Sequence, residues 1–361
     1  MATNQADIQD VPDVRWNQLA RKAKFRRNLT TTVLVSILII ISLPIIIPYF
    51  WMMTIAFSAR TGGVDSFVLW RSVFVLVPAI VTFSLVRIFV TKSRHHWYIG
   101  GGILLVTIIA LTLLIGPNLH VENFRFFWMA DIVKDLPGRG SATVGTQFPW
   151  MWVAFRNSMV MALVQTLVVG TVSTFAGYYL SRFAFPGRSS FLQLLLVMHA
   201  FPAMTLVIPI FLIMYWTGMI DTITGVILVI VTLELPFSIF IMKGFFDAVP
   251  WDIEMSAMTD GASRRQAFFR VVLPQVKVGI LAISVFAFIK GWEEYVFVRT
   301  LLFDKSNWMM SLYLFWVADD VMGVDYGIVA AVSTFFVMPS LILYIFCQKY
   351  LVQMSIGGIK G

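Results

Sequence analysis

The chain has 361 residues, 59% hydrophobic and 13% charged, with a mean hydropathy of +0.83 and a formal charge of +8. A soluble protein carries about a quarter charged residues, so this composition excludes a water-soluble globule and leaves an all-α transmembrane fold, a polytopic helical bundle. The one cysteine, Cys347, lies in an apolar run and excludes a disulfide framework, and the four histidines make no metal-ligand pair at helical spacing.

Residues 1–28 are polar and mixed in charge and read as a cytoplasmic N-terminal segment. The first apolar run begins near Val33 and is too long for a cleavable signal, so an uncleaved anchor is expected. Eight apolar segments follow, at 33–57, 67–90, 99–116, 157–180, 190–216, 222–242, 276–298 and 327–347. Each is near the roughly 20 residues that cross the hydrocarbon. Arg71 and Arg87 sit near the ends of the second, where they can snorkel to the interface. The expected divisions are 1–28, then 29–66 with the first span and an external turn. A two-span hairpin occupies 67–116 and an external loop 117–156. The core is 157–347, with a cytoplasmic loop at 249–274, and the tail is 348–361.

With the N-terminus inside, most Lys and Arg fall on inner segments, among them Arg21, Lys22, Lys24, Arg26, Arg27, Arg264, Arg265 and Arg270. The positive-inside rule then places both termini in the cytoplasm. It also explains the net charge without nucleic acid. The long outer segments carry Trp128, Trp150, Trp152, Trp308, Trp316, Asp319, Asp320 and Asp325. They read as an interfacial aromatic belt or as a docking surface for an external partner.

The segment 249–274 carries the strongest local signal. Pro250 can open a helix, and Asp252 and Glu254 suit the positive end of its dipole. Asp260-Gly261 signals a turn, after which Ser263 can cap a second helix made basic by Arg264, Arg265 and Arg270. Two short helices joined by a tight turn are expected, either lodged in a groove of another protein or lying on the membrane surface.

The same loop resembles the EAA motif of ATP-binding-cassette importer permeases: Glu-Ala-Ala, three residues, Gly, nine residues, an aliphatic, any residue, Leu-Pro. Here Ala257 matches the second alanine and Asp260-Gly261-Ala262 the usual Asp-Gly-Ala, and nine residues separate Gly261 from Val271-Val272-Leu273-Pro274. Met255 stands where the motif has glutamate and Ser256 where it has the first alanine, leaving Glu254 as the candidate for the motif's charge. Asn157-Ser158, the segment from Gly177 to Gly187, Phe201-Pro202 and the tail from Gln348 to Gly361 resemble the maltose-transporter type of permease. The hairpin at 67–116 looks like an insertion into a six-span core.

The resemblance implies a bacterial inner-membrane permease of a carbohydrate importer. Its implied partners are a second homologous permease, two cytoplasmic ATPase subunits and an external solute-binding protein. ATP and Mg would belong to the ATPase, and this chain has no phosphate-binding Gly-x-x-x-x-Gly-Lys-Ser/Thr loop. It implies ATPase-coupling roles for Glu254, Met255, Ser256, Ala257, Asp260, Gly261, Ala262, Leu273 and Pro274, and an ATPase contact for the tail residues Gly357, Gly358 and Lys360.

Glu234, Lys290, Glu293 and Glu294 lie within spans, where ionisable groups are functional candidates by default. Lys290 and Glu294, four apart, are expected to pair on one helix face. Glu234, Trp292, Glu293, Glu294 and Tyr295 are candidates for the translocation path; the last four stand where the family usually has Trp-Asn-Glu-Tyr. His199 and Gln193 are read as helix-to-helix hydrogen bonds. A secondary transporter of a small polar solute is the competing class. It would call for inverted repeats with broken helices at matching positions, and none is read in the sequence.

Overall fold

A computed structural model describes residues 13–58, 66–89, 96–114, 116, 119–130, 132, 149–318 and 324–357. The chain divides into two compact units, Met1–Asn123 and Phe124–Gly361.

The first unit contains α1 (Asp13–Ala56), α2 (Ser66–Phe89) and α3 (His96–Leu114). Helix α1 begins inside the expected polar segment and continues through the first apolar run, with Pro44 and Pro48 within it. Its last carbonyls have no partner inside the helix. Asn123 meets the last of them, its Nδ2 donating to Ala56 O at 3.1 Å, and also donates to Ser58 O just past the helix at 2.9 Å. Helices α2 and α3 pair as the expected hairpin, with Arg71 Nη1 donating to Leu114 O at 3.3 Å. Phe74 and Leu113 are more than 70% exposed, as suits side chains that face lipid.

The second unit runs through α4 (Met151–Arg182), α5 (Arg188–Ala200), α6 (Val207–Trp216), α7 (Ile223–Asp247), α8 (Trp251–Thr259) and α9 (Arg264–Ala267). It continues with α10 (Leu273–Gln275), α11 (Lys277–Glu293), α12 (Val296–Leu301), α13 (Met310–Ala318) and α14 (Tyr326–Gly357). At its centre α4 packs on α7 and α11, and α11 packs on α14. The approach of α4 to α7 needs Gly177: a Cβ there would lie 2.7 Å from Met242 Cβ and 2.9 Å from the Lys243 amide nitrogen. Without a hydrophobic force between helices in lipid, such close backbone contact is what holds spans together.

Among the described residues, three helices are long and apolar enough to cross a membrane, or up to six if each bent pair is one span. The upper figure equals the expected six-span core in number, although one of its bent pairs includes Arg264–Gln275 of the expected cytoplasmic loop. The apolar stretches of the hairpin, Trp70–Val86 and Tyr98–Leu114, are shorter. Three expected spans are not single rods, the first of them bending by 50° between Ser42 and Pro44. The 190–216 segment breaks between Ala200 and Ala203 with an 89° bend. Pro202 offers no amide hydrogen and holds Phe201 in extended backbone, at φ −69° and ψ 128°. The segment from 276 begins after a 71° bend at Val276 and stops at Glu293, so the expected helix through 298 is two pieces.

Candidate functional site

The expected pair of short helices at 249–274 is present. Pro250 stands at the N-cap of α8, and the helix closes with a double bond pattern: Ala262 N donates to Ala257 O at 3.0 Å and Gly261 N to Met258 O at 3.1 Å. This C-terminal motif needs a left-handed residue just past the helix, and Gly261 supplies it with φ +93°. Ser263 then caps α9 in a capping box, its amide donating to Gln266 Oε1 at 2.8 Å and its Oγ accepting from the Gln266 amide. The chain continues as a π-helical turn, Phe268–Val272, before Leu273 and Pro274.

The two faces of this element differ. Met255, Ser256, Asp260, Gly261, Arg265, Arg270 and Pro274 are exposed, while Ala257, Ala262 and Leu273 are half-buried. Beneath them Phe268 and Val272 pack with Met242, Phe246 and Val249 of α7 and its exit. The exposed rim is a turn flanked by cations, and the inner face is apolar apart from one polar cluster.

That cluster centres on Glu254, which is 1% exposed. Its Oε2 lies 3.1 Å from Arg182 Nε and its Oε1 accepts from the Tyr178 hydroxyl at 2.5 Å. Arg182 also donates from Nη2 to Val249 O at 2.8 Å, and its guanidinium lies 5.3 Å from the Trp251 ring centre. Contrary to the motif expectation, Glu254 does not present its charge at the surface, because the last turns of α4 face it and occupy both oxygens. A charge this deeply buried needs such partners. The residue at the motif's glutamate position, Met255, is 40% exposed and carries no charge.

The candidate path residues are dispersed. Glu234 is half-buried in α7, and Lys290 and Glu293 are exposed near the end of α11. Trp292 is buried at 1% exposure, donates from Nε1 to Phe336 O at 2.9 Å and stacks on the Phe336 ring. The expected Lys290–Glu294 pair does not form. Glu294 lies past the helix end, where its Oε1 accepts from the Phe297 amide at 2.9 Å and so opens α12. Tyr295 packs on Phe315. His199 stacks on Phe237 at 4.5 Å, a helix-to-helix contact made by ring packing. Gly357 closes α14, and Gly358, Lys360, Asp319 and Asp320 lie outside the described residues.

Sequence reading missed two groups. Tyr178 and Arg182 sit in the Gly177–Gly187 segment, but nothing local pairs them with Glu254, more than 70 positions away. At the other end of α4, Asn157 Nδ2 donates to Ser306 O and Trp308 O, and Ser158 Oγ accepts from the Met310 amide. Asp221, with φ +58°, accepts from the amides of Phe303 and Asp304. These bonds fix the 302–310 loop, where Trp308 stacks on Trp316. Trp308 is 6% exposed, so it is packed rather than part of an interfacial belt; Trp128 and Trp150 are exposed.

Comparison with known proteins agrees with this arrangement. The model of the binding-protein-dependent transport system inner membrane component family matches residues 170–354. The inner membrane ABC transporter permease protein YcjP of Escherichia coli is 31% identical over 211 residues, which cover 57% of this chain and 74% of YcjP. The diacetylchitobiose uptake system permease protein DasC of Streptomyces coelicolor is 32% identical, over 60% of this chain and 78% of DasC. The galactooligosaccharides transport system permease protein GanQ of Bacillus subtilis is 31% identical, over 57% and 73%. In fold, the chain is similar to a bacterial ABC transporter involved in the import of alginate, with a TM-score of 0.50 at 20% identity, covering 72% of this chain and 98% of that one. A matched region that holds both the α8–α9 turn and the helices bracing it, in a chain built of membrane-length helices, identifies this multi-pass inner-membrane protein as a permease subunit of the binding-protein-dependent transport family.

Proposed function

We propose that this chain forms, with a second homologous permease, the translocation path of an ATP-driven importer of sugars or related oligosaccharides. The carbohydrate class rests on the similarity to uptake permeases for diacetylchitobiose and galactooligosaccharides. One observation carries the coupling role: the exposed, glycine-hinged turn at Asp260-Gly261, flanked by cations and fastened to three spans. Two cytoplasmic ATPase subunits bind ATP and Mg. One of them takes the rim formed by Met255, Ser256, Asp260, Gly261 and Ala262, with Ala257, Leu273 and Pro274 completing its support. Both termini lie in the cytoplasm, and the tail at Gly357, Gly358 and Lys360 reaches the ATPase interface. An external solute-binding protein delivers the sugar at the opposite face. Closure of the ATPases pushes α8 and α9, and the attached spans switch the cavity from inward-open to outward-open. Glu234, Glu293, Glu294 and Tyr295 are the polar groups assigned to the path.

Vesicle transport tests this reading. Uptake of labelled diacetylchitobiose or a labelled galactooligosaccharide is expected to require ATP on the ATPase side and to survive collapse of ion gradients. Uptake driven by a gradient without ATP would overturn it. Co-purification of the ATPase is expected to be lost in Gly261→Val and Asp260→Lys.

A further inference from the structure

Resting on the importer reading, we infer that Glu254, Tyr178 and Arg182 form a strut that carries motion from α8 into α4, with Glu254 a positioning residue for coupling. The covalent attachments of the loop are poor levers. On the α7 side, the chain passes from Asp247 to Trp251 through non-helical residues, with Pro250 extended at φ −56° and ψ 135°. On the α11 side it passes through a π-helical turn and a 71° bend at Val276. Both are places where backbone rotation would absorb a push.

One guanidinium spans the first of these hinges. Arg182 holds Val249 O, before Pro250, with Nη2, and holds Glu254, after it, with Nε. Its Nε and Nη2 are fixed in one plane, so the two sides of the hinge are held at a set distance. Tyr178, one turn earlier on the same face of α4, grips the same elements. Its hydroxyl donates to Glu254, and its ring lies 5.5 Å from Phe246 of α7 and 4.5 Å from Phe268 of the π-turn. The exit of α7, the start of α8 and the π-turn therefore all bear on the last two turns of α4, which at Gly177 is already in backbone contact with α7. Exposed side chains of the loop touch α4 by ring contacts, Arg264 over Phe183 at 5.0 Å and Phe269 against Phe175, and, among the described residues, not by hydrogen bonds. The cluster lies behind the contact surface, so its role is transmission, not docking.

Thermodynamic reciprocity supplies a test that needs no known solute. If ATP binding at one face changes the affinity for the solute-binding protein at the other, the solute-binding protein must change ATP affinity by the same factor. The assembled complex, in lipid nanodiscs with the companion permease and ATPases, is titrated with a fluorescent non-hydrolysable ATP analogue, with and without saturating solute-binding protein. The wild type is expected to show a shift of about fivefold or more. In Glu254→Gln, which keeps oxygen for Tyr178 but removes the charge, the shift is expected to fall below twofold while the complex still assembles. Its analogue affinity without the solute-binding protein should be unchanged. Arg182→Lys, which keeps the charge but cannot hold both sides of the hinge, is expected to behave likewise. Tyr178→Phe should lose part of the shift. An undiminished shift in Glu254→Gln and Arg182→Lys, or loss of ATPase co-purification in all three variants, would overturn the strut. Absence of any shift in the wild type would instead count against the importer reading.

Discussion

The two ends of α4 hold two loops by different means. At the Asn157 end, the 302–310 loop is fixed mainly by many bonds to backbone groups: Asn157 to two carbonyls, Ser158 to one amide, Asp221 to two more. At the Arg182 end, the 249–276 loop hangs on one buried ionic cluster around Glu254 and an apolar layer. A loop held by many small bonds loosens gradually, whereas a loop held by one buried charge pair is held or released as a unit. The first suits a scaffold and the second a moving part.

The sharpest test of that contrast is Glu254→Ala. It leaves Arg182 buried without its carboxylate, and breaking a buried pair costs about 3–5 kcal/mol, read as reduced stability to denaturant in detergent. A loss no larger than that of any single change in the 302–310 loop would erase the distinction. Next is Gly177→Val, which must separate α4 from α7 at a point with no room for a Cβ; overpacking of this kind costs about 1–3 kcal/mol. It should loosen the 249–276 loop as well, seen as faster hydrogen exchange at Val249 and Glu254. Asp221→Ala removes the acceptor for Phe303 and Asp304 and should cost about 1–2 kcal/mol, with faster exchange confined to the 302–310 loop. Gly261→Ala strains an exposed left-handed turn for about 1 kcal/mol, so its effect on folding is small although it sits at the centre of the proposed ATPase contact.

The smallest effect is acid sensitivity at Asp304. The Ser306 backbone amide holds its carboxyl below the ordinary range. A group with a lowered folded value contributes stability above its unfolded pKa and loses it as pH falls through the folded one. Protection of the Ser306 amide should therefore persist to lower pH than an unstructured aspartate would allow, and Asp304→Asn should remove that pH dependence.

Much of the loop was legible from local chemistry. The Asp260-Gly261 turn, the Ser263 cap and the two short helices depend on residues within a few positions of each other, and each appears where the local pattern puts it. The candidate site was legible only on its exposed rim. Glu254 carried a plausible local role at the start of α8, yet its partners come from α4. The Lys290–Glu294 expectation failed for a related reason: spacing of four implies a pair only while the helix continues, and α11 ends between them.

By itself the sequence determined a bundle of membrane-crossing helices, the positions of its apolar segments and the hinge at Gly261, because hydropathy and backbone preference act over short stretches of chain. The tertiary structure alone decided which way Glu254 points and that Asp221 holds a loop more than 80 residues away. Those outcomes depend on which helices cross and how closely, and the close approach of α4 to α7 brings Arg182 and Glu254 within one hydrogen bond.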